Sequence, residues 1–266
     1  MQTIRHNSDT HKRYWISIYS KLDIKLAPLP EQRAIVAKIE ELFSELDNGV
    51  ANLFKAKEKL EIYRQAVLRN AFEGDLTREW RNKHNISSGY TFLSVKDVAD
   101  VATGATPHKS NNNYWDNGSI PWVTSGAVNN LFIDEASNFI TEIALKETNC
   151  KIFPKGTLLM AMYGEGKTRG KCSELMISAA TNQAIAAILL RNEFKESKKF
   201  IKWFFIKNYN DIRMVSSGGV QPNLNLTKVR DTLIPFPSLQ EQCEIVSEIE
   251  TRLSVCDSIR MNIEDG

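Results

Sequence analysis

The sequence has no apolar run that reaches the ~18 residues needed to cross a membrane. No apolar segment follows the charges of its N-terminus, so we expect no secretory signal either. Its four cysteines are scattered without a Cys-x-x-Cys pair, and its four histidines show no ligand spacing. We therefore expect no metal site, and the cysteine pattern fits reduced thiols in a cytoplasm.

The common catalytic sets are missing as well. The chain contains no Asn-Pro-Pro-Tyr or Asp-Pro-Pro-Tyr tetrapeptide of the kind an adenine methyltransferase needs, and no glycine-rich cofactor loop after a first strand. Neither a nuclease-type Asp/Glu-x-Lys set nor a Ser/His/Asp set can be argued from its residues. We expect a protein without enzymatic activity or cofactor, whose many amide and hydroxyl side chains serve recognition.

Neither sign of charge predominates, since the formal net charge is only +2. The distribution is uneven, with a net charge of +4 on residues 87–236 and −5 on residues 237–266. A mild basic excess on the middle of the chain permits a polyanionic partner but does not demand one.

The chain does contain an internal repeat. Residues 29–47 and 239–257 match at 9 of 19 positions, at an offset of 210 residues, and both copies carry the pattern Leu-x-Glu-Gln-x-x-Ile-Val. Pro30 suits the first turn of a helix, and Ser238 with Glu241 reads as a capping box. Each copy is therefore predicted to open a helix.

Apolar residues follow each opening at alternating spacings of three and four, which is typical of a coiled-coil seam. We predict that the two helices pair as an antiparallel coiled coil, within one chain or across a homodimer. The alternative is that each stripe packs on its neighbouring globular domain. The residues predicted to pair are Ile35, Ile39, Leu46, Leu53, Leu60, Ile245, Ile249, Leu253 and Ile259.

The predicted fold class is α/β (α+β), with one globular domain and two long helices. The first helix should run from 30 to about 72 and continue, or kink, at Asn48-Gly49. Short β-type runs are predicted at 92–95, 120–124, 157–162 and 184–190, and a further helix around Lys198–Asn208. The predicted segments are a short N-terminal segment at 1–27, the first helix and linker at 28–89, the domain at 90–236 and a shortened second helix at 237–266.

Polar loops between these runs are the candidate DNA-binding site. Asparagine offers the paired donor and acceptor that match an adenine edge, arginine commonly reads guanine, and lysine or serine suits phosphates. Each loop taken alone could instead be a plain turn. The candidate residues are Lys109, Ser110, Asn112, Tyr114, Thr124, Ser125, Tyr163, Gly164, Lys167, Thr168, Arg169, Lys171, Asn182, Gln183, Ser217, Gln221 and Asn223.

One of these loops nearly spells the phosphate-binding pattern Gly-x4-Gly-Lys-Thr. Ala161 stands in place of the first glycine, and Gly170 opposes the helix that must follow. An NTP-binding enzyme that uses 161–168 is thus an alternative, and a coiled-coil adaptor without a DNA role is another.

Several of these segments resemble type I restriction–modification specificity (S) subunits. The repeated Glu-Gln helix openings are similar to the helical regions of that family, and 60–76 is similar to the end of its central helix. Segments of the middle domain resemble its target recognition domains, namely Gly104–Pro107, Tyr114-Trp115, Ile120–Val123, Thr181–Gln183 and Gly219–Leu226.

The resemblance implies a non-catalytic subunit that reads one half of a split double-stranded DNA site. It also implies methyltransferase (M) subunits held by the helices, and a restriction (R) subunit in the same assembly. This chain departs from the family pattern, because it has one recognition domain and a shortened second helix. It would then be a half subunit that dimerises, or a partial form.

Overall fold

The computed structural model describes residues 23, 25–86, 89–164, 168–216 and 224–265, without the side chains of 210–216 and 265. The predicted N-terminal segment lies almost entirely outside these residues. The chain divides into two compact units, Met1–Ala56 and Lys57–Gly266.

The first unit carries most of helix α1, which spans Leu29–Glu73. Its first turn is closed by hydrogen bonds within the unit, because the amide nitrogens of Glu31 and Gln32 donate to the carbonyl oxygen of Pro28. The Gln32 side chain donates to the carbonyl oxygen of Ala27 at 2.6 Å. The helix passes Asn48 and Gly49 without a break, which confirms the predicted continuation.

The second unit contains the remaining elements. Its helices are α2 (Arg78–His84), α3 (Val95–Val98), α4 (Glu142–Glu147), α5 (Lys198–Ser216), α6 (Leu226–Arg230) and α7 (Leu239–Asp265). Its strands are β1 (Thr91–Ser94), β2 (Ala99–Thr103), β3 (Ile120–Val123), β4 (Phe132–Ile133), β5 (Asn138–Ile140), β6 (Ile152–Phe153), β7 (Leu158–Ala161), β8 (Cys172–Leu175), β9 (Ala179–Thr181), β10 (Ile185–Leu190) and β11 (Leu233–Phe236). The predicted mixture of helix and strand is confirmed.

Three sheets organise these strands. A five-stranded sheet has the order β2-β10-β7-β8-β4, a four-stranded sheet the order β5-β3-β9-β6, and β1 pairs with β11. The pairing is antiparallel except for β3 with β9 and β4 with β8. The β1–β11 pair brings the two ends of the globular domain together, because Phe92 lies opposite Pro235.

Both faces of the five-stranded sheet are buried. In β7, Leu158 and Met160 point to one face and join a core with the helices, whereas Leu159 and Ala161 point to the other face and join a core with the four-stranded sheet. This alternation is the two-residue period of a strand. The second unit is thus layered as helices, sheet and sheet.

The helical layer combines α5, α7 and the last turns of α1. Phe72 of α1 lies between Phe200 and Phe204 of α5, at ring-centroid distances of 5.2 and 5.5 Å. Ile245 and Ile249 of α7 are fully buried in the same core. The stripe of α7 therefore packs on its neighbouring domain, as the alternative interpretation expected, and also shares that core with α1.

Two ion pairs join α1 and α7, and the order of their partners along the chain is reversed between the two helices. Lys57 pairs with Glu264 at 2.7 Å, and Arg64 pairs with Asp257 at 2.6 Å. The two segments therefore run antiparallel within the second unit. Three of the four side chains are exposed and Arg64 is half-buried, so each pair contributes at most about 1 kcal/mol.

The residues predicted to pair differ in exposure. Ile245, Ile249 and Leu253 are buried and Leu60 is half-buried, whereas Ile35, Ile39, Leu46, Leu53 and Ile259 are between 43% and 60% exposed. The predicted coiled coil stays a prediction.

A buried ionic cluster holds the start of α7. Arg81 of α2 pairs with Glu241 of α7, and both side chains are almost fully buried. The same carboxylate accepts hydrogen bonds from the hydroxyl groups of Thr77 at 2.8 Å and Tyr90 at 3.0 Å. Arg81 also donates to the carbonyl oxygen of Gly74 at 2.6 Å, so the cluster joins the linker after α1 to α7.

All four cysteines are free thiols. Cys150, Cys172 and Cys256 are buried, and Cys243 is exposed on the first turns of α7. None of the helices in the described part of the chain combines the length and apolar content that a bilayer crossing requires.

Candidate nucleic-acid interface

The strand topology gathers most of the predicted loops at one edge of the five-stranded sheet. β2 and β7 end at this edge, whereas β8 and β10 begin there, because β10 is antiparallel to β2 and β7 and β7 is antiparallel to β8. β4 also begins there, since it runs parallel to β8. The loop segments 104–119, 124–131, 162–164, 168–171 and 182–184 therefore share one edge, which we call the loop edge.

The loop after β2 is held against Thr181, the last residue of β9. A Cβ atom on Gly104 would lie 1.8 Å from the carbonyl oxygen of Thr181, so the two backbones are in direct contact. The Thr106 hydroxyl donates to Oε1 of Gln183, and the Thr103 hydroxyl donates to the carbonyl oxygen of Ile185 at 2.8 Å. These contacts fix where the loop leaves the sheet.

Two tryptophans anchor the middle of the same loop. Trp115 packs edge-on against Trp122 at 5.2 Å between ring centroids, and their indole nitrogens donate to the carbonyl oxygens of His108 and Ala105. The hydroxyl of Tyr114, which is half-buried, donates to Glu147 at 3.1 Å. The candidates Lys109, Ser110 and Asn112 are left exposed on the outer side of the loop.

Asn129 joins the loop before β4 to the loop between β7 and β8. Its Oδ1 accepts from Nζ of Lys171 at 2.9 Å and from the hydroxyl of Thr168 at 3.4 Å. Its Nδ2 donates to the carbonyl oxygen of Gly126 at 2.9 Å. The partner of Lys171 is therefore a neutral amide and not a carboxylate.

The four-stranded sheet brings two more candidates together. β3 and β9 are parallel, with Val123 opposite Thr181, so Thr124 and Asn182 follow neighbouring strand ends. The amide nitrogen of Asn182 donates to the carbonyl oxygen of Val123 at 3.1 Å. Thr124, Ser125 and Asn182 are half-buried, and Gln183 is exposed.

The remaining candidates fall into two groups. Tyr163 and Gly164 are exposed on the β7–β8 loop, and Arg169 is half-buried there. The candidates that lie outside the described residues are Lys167, Ser217, Gln221 and Asn223.

Sequence reasoning missed Asn129 and the role of Thr106. Asparagine and threonine are common in loops, so only long-range contacts distinguish these two residues. Asn129 contacts Lys171, 42 residues away, and Thr106 contacts Gln183, 77 residues away. A local motif could not have selected either residue.

The described residues after Thr168 do not form the helix that a nucleotide site at 161–168 requires. A phosphate loop needs a helix N-terminus beneath the phosphates. Here Thr168 is followed by a turn and then by strand β8, which begins at Cys172. The NTP-binding alternative is therefore not favoured.

A buried lysine packs against Phe132 of the edge strand β4. Nζ of Lys202 lies 3.4 Å from the centroid of the Phe132 ring and 3.4 Å from Oε2 of Glu174. Burial lowers the pKa of Lys202, and the Glu174 carboxylate opposes this shift. Burial also raises the pKa of the neighbouring Cys172 thiol to about 12, which makes it a poor nucleophile.

The chain is similar to known proteins over most of its length. Residues 87–264 match the model of the type I restriction modification DNA specificity domain. The chain is 25% identical over 260 residues to the type I restriction enzyme EcoR124I/EcoR124II specificity subunit of Escherichia coli, covering 94% of this chain and 60% of that protein. It is 31% identical over 184 residues to the MjaIX specificity subunit of Methanocaldococcus jannaschii, covering 66% and 40%.

Two solved structures share the fold. One is the HsdS subunit from Thermoanaerobacter tengcongensis, with a TM-score of 0.58 at 18% identity over 89% of this chain and 54% of that chain. The other belongs to a study of assembly and conformational transition of the type I R-M system, with a TM-score of 0.69 at 18% identity over 90% and 56%. The chain spans 40–60% of the length of these curated relatives.

Proposed function

Because the chain belongs to the type I restriction–modification DNA specificity family, we propose that it reads one half of a bipartite DNA target and has no catalytic role of its own. The loop edge contacts the duplex. Methyltransferase subunits assemble on α1 and α7, a restriction subunit joins the same assembly, and two copies of the chain can associate through their long helices.

The observation that supports this proposal is the convergence of the predicted loops on one edge. These loops are far apart in sequence, yet they lie side by side and expose lysine, amide and hydroxyl groups. Among the described residues, no carboxylate forms an ion pair with Lys109, Arg169 or Lys171. Cations without a carboxylate partner are available to phosphates, which dominate the affinity of proteins for DNA.

The opposite edge of the same sheet provides a matched control. Lys155 lies just before β7 and Lys195 follows β10, so both lie at the other end of these strands. Both are exposed, and neither forms an ion pair with a described residue. They carry the same charge as Lys171 at a position where we expect no DNA.

The test compares two double variants by fluorescence anisotropy with a labelled duplex over a range of salt concentrations. Arg169→Ala with Lys171→Ala should weaken binding for all sequences and reduce the slope of log K against log[salt] by about 2, one for each lost phosphate contact. Lys155→Ala with Lys195→Ala should leave both quantities near the wild-type values. Equal losses in the two pairs would contradict the assignment of the loop edge.

The alternatives make different predictions for the same protein. An NTP-binding enzyme would release heat on titration with ATP in a calorimeter, and we expect none. A coiled-coil adaptor would show no change in any DNA measurement when Arg169 and Lys171 are replaced.

A further inference from the structure

Asn129 has both ends of its side-chain amide engaged. Nδ2 donates to the carbonyl oxygen of Gly126 at 2.9 Å, and Oδ1 accepts from Nζ of Lys171 at 2.9 Å. A carbonyl oxygen can only accept and an ammonium group can only donate, so both neighbours require the same orientation of the amide. The preceding residue, Val128, is buried in the core that the two larger sheets share, which fixes the backbone from which this side chain extends.

The backbone of Lys171 is fixed as well. Its carbonyl oxygen accepts from the amide nitrogen of Ala161 at 3.1 Å, and its amide nitrogen donates to the carbonyl oxygen of Thr168 at 3.1 Å. Gly170, just before it, donates its amide hydrogen to the carbonyl oxygen of Ala161 at 2.8 Å. The flexible part of Lys171 is therefore its side chain, and Asn129 holds the end of that side chain.

The oxygen of Asn129 contacts both ends of the turn that precedes β8. Besides Lys171, Oδ1 accepts from the hydroxyl of Thr168 at 3.4 Å. An ammonium group has three N–H donors, and within the described part of the loop edge only Asn129 accepts from Lys171. This partner is an amide, so it places no negative charge beside the lysine.

A lysine ordered by an amide is suited to a phosphate. A free lysine side chain loses rotamer freedom when a ligand immobilises it, and a side chain that is already ordered loses less. A carboxylate in place of the amide would also order the lysine, but it would compete with the phosphate for the ammonium group. We propose that Asn129 is a positioning residue for DNA binding, which orders the ammonium group of Lys171 for a phosphate oxygen without forming an ion pair with it. This inference rests on the proposed function and adds to it how one cation of the loop edge is prepared for its contact.

Two substitutions of Asn129 separate order from charge. Asn129 is exposed, so neither replacement enters the core. Asn129→Leu keeps the approximate size and removes the acceptor. It should weaken binding by about two- to tenfold, the cost of immobilising one long side chain, and leave the salt dependence unchanged. Asn129→Asp keeps an acceptor and adds a carboxylate beside Lys171, so it should weaken binding further and reduce the slope of log K against log[salt] by about 1, for one lost phosphate contact.

The measurement is fluorescence anisotropy of a labelled duplex with the full chain over a range of salt concentrations. Any duplex serves, because phosphate contacts form on every sequence. Asn130→Asp is the matched control, since Asn130 is exposed, follows Asn129 directly and receives no hydrogen bond from Lys171. It adds the same charge and should keep the wild-type slope.

The Lys171→Ala background distinguishes positioning from a structural role. If Asn129 acts through Lys171, Asn129→Leu should have no further effect on affinity in that background, because no ammonium group is left to order. If Asn129 only maintains the shape of its loop, the same substitution weakens binding equally with and without Lys171.

Two results would overturn the inference and leave the proposed function standing, provided that Lys171→Ala alone reduces the slope by about 1. One is an equal loss of affinity from Asn129→Leu in both backgrounds. The other is a slope for Asn129→Asp that equals the slope for Asn130→Asp. If Lys171→Ala instead changes neither affinity nor slope, Lys171 does not contact the duplex, and this part of the proposed function fails together with the inference.

Discussion

Gly104 lies where no side chain fits. A Cβ atom there would lie 1.8 Å from the carbonyl oxygen of Thr181 and 2.6 Å from its side-chain oxygen. The nearest atoms belong to the backbone of a buried strand, which cannot move aside as a flexible side chain could. The loop after β2 can therefore approach the end of β9 this closely only with glycine at this position.

We expect Gly104→Ala to lower the free energy of unfolding by about 2–3 kcal/mol, the upper range of the cost of overpacking. Urea denaturation followed by circular dichroism measures this change. Gly126→Ala is the control, because the nearest atom to its Cβ would be the Thr124 hydroxyl oxygen at 3.7 Å. Equal stability of the two variants would contradict the close approach of the two backbones.

Tyr90 provides a prediction about pH. Burial, followed by the charge of Glu241, raises the pKa of its phenol from 10.0 to about 12. The folded state holds this proton more tightly than the unfolded state, so its contribution to stability is complete below pH 10 and is lost as the pH rises to about 12. Over that interval Tyr90→Phe should lose stability with pH less steeply than wild type.

Ultraviolet titration of the tyrosines tests the same shift directly. Wild type should contain a late-titrating phenol that Tyr90→Phe lacks. If the variant loses a phenol that titrates near pH 10, Tyr90 is not held by Glu241.

The sequence offers only residue type as a basis for predicting which candidate residues face outward. Asn112, Asn129 and Asn182 are all loop asparagines, and nothing in the local sequence separates them. In the structure, the side-chain oxygen of Asn129 accepts from Lys171, 42 residues away, whereas that of Asn182 accepts from the amide nitrogen of Ala184 in its own turn. Side-chain orientation depends on such contacts, so the different surroundings of these asparagines could not be predicted from residue type alone.

The Arg81–Glu241 pair connects α2 to α7 from a buried position. Removing one member of a buried ion pair leaves the other charge without a partner, at a cost of about 3–5 kcal/mol. Arg81→Met should therefore lower the free energy of unfolding by about that amount. Chemical denaturation of the full chain measures it.

Arg78 is a control on the same short helix. It pairs with Asp75 in an exposed position, so Arg78→Met should cost at most about 1 kcal/mol. The double variant Arg81→Met with Glu241→Met should recover part of the loss, since the unpaired charge is gone. If the double variant is as unstable as the sum of two independent losses, the two charges do not interact.

Long periodic elements were easier to predict than short ones. The first helix was predicted from 30 to about 72 and spans Leu29–Glu73, because its apolar spacing is maintained over its whole length. The strand predicted at 92–95 instead ends at Ser94, where the capping box between Ser94 and Asp97 starts α3. Strands β4 and β6 contain two residues each, too few for a periodic signal, and form through pairing with distant strands.

The repeat has different surroundings in its two copies. In the second copy, Ile245 and Ile249 are fully buried. In the first copy, Ile35 and Ile39 are 48% and 46% exposed, and Leu46 and Leu53 continue this exposed stripe. Apolar residues that recur along one face of a helix favour a partner helix, which is the basis for the proposed association of two chains.

We expect the full chain to sediment at about twice its 30.2 kDa at micromolar concentration. Leu46→Glu with Leu53→Glu should shift it to the mass of one chain, because two charges would enter the apolar contact. Ser44→Glu with Ala51→Glu adds the same charges at the same spacing on another face of the helix and should leave the mass unchanged. A wild-type chain that sediments as a single copy would contradict the proposed dimer.

The four thiols differ in exposure, so one of them can be labelled selectively. Three are buried, and Cys243 is exposed two residues after Glu241. A maleimide dye should consequently attach at one natural position, next to the ionic cluster that holds the start of α7. Fluorescence from such a label would follow the release of that helix in real time, without any engineered cysteine.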